Sequence, residues 1–152
     1  MEQCFAEHKP LSFEILDIDY FKQYNDRYGH QAGDDCVRAI AALIRQMESD
    51  QIFCARYGGD EFVIIYSGMS AEEVCERAEK LRQDVMALQI EQRYTEGTFG
   101  VTISQGICHD IPSNGNKNWD FLHIADQTLY RAKRGGKNCL CMTDIHGREI
   151  EV

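Results

Sequence analysis

The chain has 152 residues, of which 43% are hydrophobic, 27% are charged and two are proline. This length and composition fit one folded domain with its own core, and they exclude a disordered or low-complexity chain. The net charge of −9 argues against nucleic acid or an anionic membrane as the main partner. A small polyphosphate ligand remains compatible with that charge, provided that metal ions and local cations neutralise it.

The sequence carries neither a membrane-spanning segment nor a signal peptide. No apolar run approaches the roughly 18 residues of a membrane helix, and the first eight residues lack basic and apolar regions. The seven cysteines include no Cys-x-x-Cys pair, and we expect them to be reduced, in a cytoplasmic compartment. Five of them have apolar or amphipathic surroundings typical of a core: Cys4, Cys36, Cys54, Cys75 and Cys108. Cys139 and Cys141 alternate as on one face of a strand, which favours packing over metal binding.

The first predicted elements are a short helix, a strand and two further helices. The short helix ends at Lys9-Pro10, and residues 11–17 form a buried strand. Asp17-Ile18-Asp19 lies at the C-terminal edge of that strand, where open α/β sheets present ligand-binding groups, and continued extension would put both acids on one side. A helix over residues 20–28 ends at Gly29, and Gly33-Asp34 begins the next helix.

A hairpin follows. Two strand-like runs, residues 51–57 and 62–66, flank Gly58-Gly59, and both glycines can adopt a positive φ. Asp60 and Glu61 come directly after the turn, where sheets often carry functional residues. Taken alone, the two carboxylates are read equally well as a solvated acidic turn.

The second half of the chain predicts helix, strand, helix and strand. Ser70 to Glu73 is a capping box that opens a helix reaching about Leu88, followed by a strand over residues 98–108 and a surface loop over 111–118. Asp120 is predicted to cap a helix that reaches Arg134 and ends at Gly135-Gly136, and residues 139–143 form the last strand. The predicted inner faces of these two helices are Val74, Ala78, Leu81, Val85 and Leu88 in the first and Leu122, Ala125, Leu129 and Ala132 in the second. The order predicts a single α/β (α+β) domain with one mixed sheet and helices packed on it.

Three carboxylates converge if the first strand and the hairpin are neighbours. These are Asp17, Asp60 and Glu61. Like charges held together are costly unless a cation neutralises them, and carboxylate oxygens suit Mg²⁺ or Mn²⁺. Two-metal sites of this kind drive phosphoryl or nucleotidyl transfer.

Such a site also needs groups that bind the rest of a nucleotide. Lys22, Lys133 and Lys137 could hold phosphates, although each one alone is more simply a solvated surface charge. Asn25 and Asp34 could likewise be helix caps. Neither simple interpretation explains why all these residues occur together.

Four segments, in this order, resemble the motifs of GGDEF-domain diguanylate cyclases. They are DIDYFKQYND (residues 17–26), YGHQAGD (28–34), RYGGDEF (56–62) and LYRAKRGGKN (129–138). The resemblance spans nearly the whole chain, and four ordered motifs make it specific. It implies a polymerase-palm, nucleotide-cyclase-like fold with a central mixed sheet of about five strands. It also implies synthesis of cyclic di-GMP from two GTP, with release of pyrophosphate.

The resemblance implies a role for each matching residue. Asp17 and Asp60 would be metal ligands, helped by the carbonyl of Ile18, and Glu61 would bind metal or deprotonate the attacking 3′-hydroxyl. Asn25 and Asp34 would read the guanine edge, because their side chains can pair with its donors and acceptors. The resemblance also implies that the phosphates are bound by Lys22, Lys133 and Lys137. Tyr20 and Phe21 would line or support the nucleotide pocket. Gly58 and Gly59 would let the backbone come close to the phosphates.

The family resemblance also implies cofactors and partners. Each active half-site would use two Mg²⁺ or Mn²⁺ ions, and each domain would bind one GTP. Catalysis would therefore need a second GGDEF domain, brought close by an N-terminal sensory region that could tether the protein to a membrane.

Three features depart from the family pattern. Ser49 and Ile52 stand where the R-x-x-D product-inhibition motif would place Arg and Asp, which predicts that this site is absent. The D-x-L-T and N-R-R segment that precedes the first strand is missing, so we expect an N-terminally truncated domain over residues 1–152 that could be inactive alone. Lys137 replaces a more common Arg, which keeps the charge but loses the bidentate fork.

Two alternatives to an active diguanylate cyclase remain open. One is a GTP-binding regulatory module that no longer catalyses, and the other is a different palm-like nucleotidyl transferase or a cyclase acting within one nucleotide. The intact acids and guanine-reading residues favour the active cyclase.

Overall fold

The computed structural model describes residues 2–92 and 100–152 of the chain. The elements are α1 (Glu2–Glu7), β1 (Leu11–Ile18), α2 (Phe21–Tyr28), α3 (His30–Arg45), β2 (Ile52–Arg56), β3 (Glu61–Ser67), α4 (Ala71–Ala87), β4 (Ile103–Asp110), α5 (Asn118–Arg134) and β5 (Leu140–Thr143). The predicted order of elements is confirmed. Thr98 and Phe99, which the sequence assigned to the fourth strand, lie outside the described residues.

The five strands form one mixed sheet in the order β2-β3-β1-β4-β5. The central strand β1 is antiparallel to β3 and β4, whereas β4 and β5 are parallel. The parallel pair follows from the α5 crossover between β4 and β5. All eight residues of β1 are buried, because helices cover both of its faces.

Side-chain alternation along β1 divides the core into two layers. Leu16 and Ile18 pack in the cluster that contains the inner faces of α3 and α4. Phe13 and Ile15 pack on the other face, with Phe121 of α5. On that face α5 comes very close to β4, since a Cβ at Gly106 would lie 2.0 Å from the backbone nitrogen of Leu129.

Some helix boundaries differ from the prediction. Helix α3 begins at His30 rather than at Gly33-Asp34, because Gly29, with φ of 90°, turns the chain and the next helix starts at once. Helix α5 begins at Asn118, and Asp120 is not the N-cap: its carboxylate accepts a 2.8 Å hydrogen bond from the nitrogen of Lys117.

The predicted inner faces of the later helices are mostly confirmed. The backbone nitrogen of Glu73 donates to Ser70 Oγ at 3.2 Å, so Ser70 is the N-cap of α4. Leu88 was predicted to be inward but is 37% exposed, because it lies at the C-cap of the helix. On α5, Phe121 rather than Leu122 is fully buried.

The sequence predicts reduced cysteines and no membrane-spanning helix. All seven cysteines are free thiols, and Cys4, Cys36 and Cys108 are buried. Of the helices in the described ranges, none has the length and apolarity needed to cross a bilayer.

Candidate active site

The end of β1 and the tip of the hairpin are adjacent in the structure. Asp17 pairs directly with Glu61 in the β1–β3 register, and the backbone nitrogen of Ile18 donates to the carbonyl of Asp60 at 3.2 Å. Directly opposed residues of an antiparallel pair project to the same face of the sheet. The predicted neighbourhood of the strand end and the hairpin is therefore observed.

Asp17 is a buried acid with an incomplete set of partners. It is only 6% exposed, and its Oδ2 pairs with the ammonium of Lys133. Its other oxygen, Oδ1, is buried and has no hydrogen-bond partner in the part of the chain that the structure describes. Burial raises the pKa of Asp17 to about 6 despite the opposing effect of Lys133, and the charges of Asp60 and Asp19 add to the rise.

Lys133 is the counterion of this acidic edge. Burial alone would lower its pKa, but the hydrogen bond and charge of Asp17 outweigh that effect, and Glu61 and Asp60 contribute in the same direction, so the pKa is raised. Within residues 2–92 and 100–152, no three acidic, histidine or cysteine side chains form a group ready to hold a metal ion. The carboxylates are on adjacent strands, yet Asp17 is engaged with Lys133.

The donor set nevertheless fits a hard divalent cation. The Asp17 oxygen that has no donor within the described ranges, together with the carboxylates of Asp60 and Glu61, offers the oxygen ligands and negative charge that Mg²⁺ and Mn²⁺ require. Exchange of the Lys133 ammonium for a divalent ion beside Asp17 would add one unit of positive charge next to the three carboxylates.

The hairpin turn is built differently from the prediction. The predicted hairpin is present, but neither Gly58 nor Gly59 has the positive φ that glycine can adopt. The loop between β2 and β3 has four residues, and the guanidinium of Arg56 closes it by donating to the carbonyls of Gly58 at 3.0 Å and Gly59 at 2.6 Å. The sequence alone does not indicate this role for Arg56.

The glycines of this turn are not demanded by the folded chain itself. A Cβ at Gly59 would meet nothing within 4 Å, and one at Gly58 would lie 3.7 Å from Glu61 Cβ, an ordinary contact. Their missing side chains leave open space over the hairpin tip, which suits the close approach of a ligand to the backbone.

Asn25 lies in a contact that depends on glycine at position 33. A Cβ at Gly33 would lie 1.7 Å from Asn25 Oδ1, so only glycine leaves room for this side chain between α2 and α3. Asn25 Oδ1 is buried and has no hydrogen-bond partner within the described ranges. Asp34 is exposed on α3 beside Gly33. The capping interpretation is wrong for both residues, because the N-caps of α2 and α3 are Tyr20 and Gly29.

The remaining predicted ligand residues lie at the start of α2 and in the α5–β5 turn. Phe21 Cζ lies 3.4 Å from the position of a Cβ on Gly33, and Lys22 is exposed in the first turn of α2. The ammonium of Lys137 lies 4.0 Å from the ring centroid of Tyr20. Tyr20 therefore contacts a predicted phosphate-binding lysine, in addition to preceding α2.

Asp19 has a different role from that suggested by the D-x-D pattern. Strand β1 ends at Ile18, and extension does not continue to Asp19. The carboxylate of Asp19 accepts from Thr102 Oγ1 at 2.7 Å, Ser104 Oγ at 2.6 Å and the nitrogen of Asn138 at 3.0 Å. The alternating hydroxyls of Thr102 and Ser104 were the available sequence signal for a buried acceptor.

The positions of the missing product-inhibition motif are also defined. Ser49 is exposed, whereas Ile52 is only 3% exposed and belongs to the core. The surrounding depression is lined in part by the acids Glu48 and Asp50 and by no cationic side chain.

Comparisons with known proteins identify the family. The family described as "Diguanylate cyclase, GGDEF domain" matches residues 1–139. A diguanylate cyclase of Vibrio cholerae is 34% identical over 140 residues, which cover 88% of this chain and 40% of that protein. The chain therefore spans about two-fifths of this relative.

Solved structures of related domains have a similar fold. The GGDEF domain of DgcB from Caulobacter crescentus, in complex with c-di-GMP, superposes with a TM-score of 0.82 at 33% identity, covering 95% of this chain and 83% of that one. The active GGEEF domain of a Vibrio cholerae diguanylate cyclase gives a TM-score of 0.73 at 30% identity, covering 93% and 94%. The fold is that of the nucleotide-cyclase-like α/β domains, and this chain belongs to the GGDEF-domain family of diguanylate cyclases.

Proposed function

We propose that this domain condenses two GTP molecules into cyclic di-GMP and releases pyrophosphate. The observation that carries the proposal is Asp17, a buried carboxylate that lies directly opposite Glu61, pairs with Lys133 through one oxygen and has no donor to the other among the described residues. An acid buried this way has a structural cost that a divalent cation would relieve. Its family relatives named diguanylate cyclases supply the reaction class.

Asp17 and Asp60 would hold the metal ions, with the Ile18 carbonyl as a further oxygen ligand and Glu61 as either a ligand or a base. Two Mg²⁺ or Mn²⁺ ions per half-site, when bound, supply charge neutralisation for an in-line displacement. Lys22, Lys133 and Lys137 would bind the phosphates, which requires Lys133 to exchange Asp17 for the nucleotide.

Asn25 and Asp34 would select guanine. The buried Oδ1 of Asn25 has no donor in the part of the chain that the structure describes, as expected of an acceptor that meets a base. The carboxylate of Asp34 can accept from the N1–H and 2-amino groups of guanine, which adenine does not present in that arrangement.

Two domains must face each other, because each supplies one GTP and one set of acids. Each 3′-hydroxyl attacks the α-phosphorus of the opposite GTP, its proton passes to a base, and pyrophosphate leaves. Two such displacements give one cyclic di-GMP and two pyrophosphates. A fused sensory region that sets the distance between the two domains would control the rate.

The deciding experiment fuses a parallel dimeric coiled coil before Met1 and identifies the products formed from GTP and Mg²⁺ by chromatography and mass spectrometry. The expected products are cyclic di-GMP and pyrophosphate, with far less product from the unfused chain. GTP binding without turnover would contradict a cyclase and leave the regulatory-module alternative. A monocyclic nucleotide would assign the domain to another class of cyclase.

A further inference from the structure

The turn that joins α5 to β5 has an unusual backbone. Gly136, Lys137 and Asn138 have consecutive positive φ angles of 117°, 64° and 47°. Glycine adopts this region freely and asparagine does so at times, but a lysine there is disfavoured by contacts of its Cβ. Strain of this kind persists only where the surroundings hold the backbone in place.

The hydrogen bonds of Asn138 hold this turn from two sides. Its backbone nitrogen donates to Asp19 Oδ2 at 3.0 Å, which ties the turn to the residue that follows β1. Arg82 Nη1, from α4, donates to Asn138 Oδ1 at 2.9 Å and to its carbonyl at 3.3 Å. Residues far apart in sequence thus fix the single residue that follows Lys137.

Arg82 is itself held in a defined orientation. Its Nε donates to Glu79 Oε2 at 3.0 Å, and its Nη2 pairs with Glu79 Oε1. The side chain of Arg82 is 18% exposed, so this pair is shielded more than an ordinary surface ion pair. A planar guanidinium can serve the carboxylate with one edge while it donates to Asn138 with Nη1.

We infer that Arg82 is a positioning residue for the phosphate-binding turn, acting through Asn138 to keep Lys137 in its strained conformation beside Tyr20. Arg82 contacts no proposed ligand group, and the family motifs in this sequence do not include it. The inference rests on the proposed function, because Lys137 matters only if the site binds a phosphorylated nucleotide.

Lys137 contacts Tyr20, and this contact would be lost if Asn138 were released. Its ammonium lies 4.0 Å from the Tyr20 ring centroid, and Tyr20 also has a positive φ, of 57°. Release of Asn138 lets the backbone of Lys137 relax toward ordinary φ values, which swings the ammonium away from the phosphates. The core packing of α4, through Val74, Ala78 and Leu81, does not involve the Arg82 guanidinium.

The test measures GTP affinity in Mg²⁺ by titration calorimetry for Arg82→Met, Lys137→Met and the double variant. Arg82→Met is expected to weaken GTP binding by about 5- to 30-fold, the effect of one or two hydrogen bonds. In the Lys137→Met background the same change is expected to have little further effect. Equal losses in both backgrounds would show that Arg82 acts only on general structure and would overturn the inference.

Two controls complete the design. Arg77→Met removes an exposed guanidinium from the same helix and is expected to leave GTP affinity unchanged. Arg82→Lys keeps the charge but not the forked geometry, so it is expected to recover only part of the affinity. Failure of the unaltered protein to bind GTP would refute the proposed function instead, whereas normal binding by Arg82→Met would refute the positioning role alone.

Discussion

Asp17 and Asp19 are two buried acids, separated by one residue, that have opposite surroundings. Asp19 accepts hydrogen bonds from the hydroxyls of Thr102, just before β4, and Ser104, within β4, and from the backbone nitrogen of Asn138, so both of its oxygens have donors. Asp17 has Lys133 on one oxygen and no donor on the other, within the described ranges. The satisfied acid organises structure, whereas the unsatisfied acid is available to a ligand.

A third buried acid shows that partners are not always enough. Glu14, in the middle of β1, accepts from Tyr66 Oη at 2.6 Å and from Gln105 Nε2 at 2.7 Å. Full burial nevertheless raises its pKa to about 7, since two neutral donors do not replace the water that a carboxylate loses. Two neutral hydrogen-bond donors therefore do not keep the pKa of a fully buried carboxyl at its ordinary value.

The largest expected effect is the loss of chemistry when the acidic edge loses one carboxylate. In the coiled-coil fusion, Asp60→Asn should reduce cyclic di-GMP formation by on the order of 100-fold or more. The metal-free variant should melt no lower than the unaltered protein, because removing a charge relieves repulsion with Asp17.

Asp126→Asn on α5 is the matched control, because this acid is exposed and lies about two helical turns before Lys133. Its turnover should be unchanged. An Asp60→Asn protein that melts well below the unaltered protein without metal would contradict the view that this edge is electrostatically strained.

The comparison between the two aspartates can be tested directly by neutralising each one. At pH 8 without metal, Asp19→Asn should lower the free energy of unfolding by roughly 3 kcal/mol, because its donors lose a charged acceptor. Asp17→Asn should instead raise it, by on the order of 2 kcal/mol, because burial disfavours this carboxylate.

Chemical denaturation of both variants, alongside the unaltered protein, gives the two free energies. Changes of the same sign would remove the distinction between a structural and a ligand-binding acid at this edge.

Glu14 predicts a pH dependence of stability. Its folded-state pKa of about 7 exceeds its ordinary value of 4.5, so the folded state binds the proton more tightly. Stability from this group is present below pH 4.5 and is lost as the pH rises to about 7. The stability of Glu14→Gln relative to the unaltered protein should therefore increase over this window, by on the order of 3 kcal/mol.

Denaturation curves from pH 4.5 to 8.5 check this prediction, and the difference between the two proteins cancels the titration of shared groups. A difference that stays constant with pH would show that the buried carboxylate keeps an ordinary pKa.

Guanine selection should depend on the space at Gly33. Gly33→Ala would push Asn25 from its place, since the new Cβ would overlap Oδ1. We expect the preference for GTP over ATP to fall by about 5- to 150-fold, or 1–3 kcal/mol, and a similar fall for Asp34→Ala. Competition binding with the two nucleotides measures this ratio.

Asn25→Ala provides the internal control. In that background Gly33→Ala has nothing to displace and should cause little further change. Ala42→Gly, at an exposed position of α3, should alter stability without altering selection. An unchanged GTP preference in Gly33→Ala would refute the assignment of Asn25.

The smallest expected effect is an absence of product binding beside β2. Ser49 and Ile52 offer no cation or acid for a bound dinucleotide, and Glu48 and Asp50 would repel its phosphates. Calorimetric titration with cyclic di-GMP, with saturating GTP to block the active site, should show no heat of binding. Tight binding under that condition would restore a product-inhibition site on this surface.

Much of this fold follows from local pattern. The buried run of β1, the strand-like run of β3, the Ser70 cap and the apolar helix faces could be predicted because each depends on residues close in sequence. The start of α3 was misplaced because Gly29, rather than a capping side chain, turns the chain there. The GGDEF motifs also selected the residue types of the site before any contact was known.

The sequence by itself therefore determined the order of elements, the family and the presence of the acids, the lysines and the residues proposed to read guanine. Only the tertiary structure decided that Asp17 pairs with Lys133 while Asp19 accepts hydrogen bonds from Thr102 and Asn138. It also placed Arg82 in contact with the α5–β5 turn. The reason is physical: secondary structure follows from neighbouring residues, whereas the partners of a buried charge come from distant segments that meet only in the folded chain.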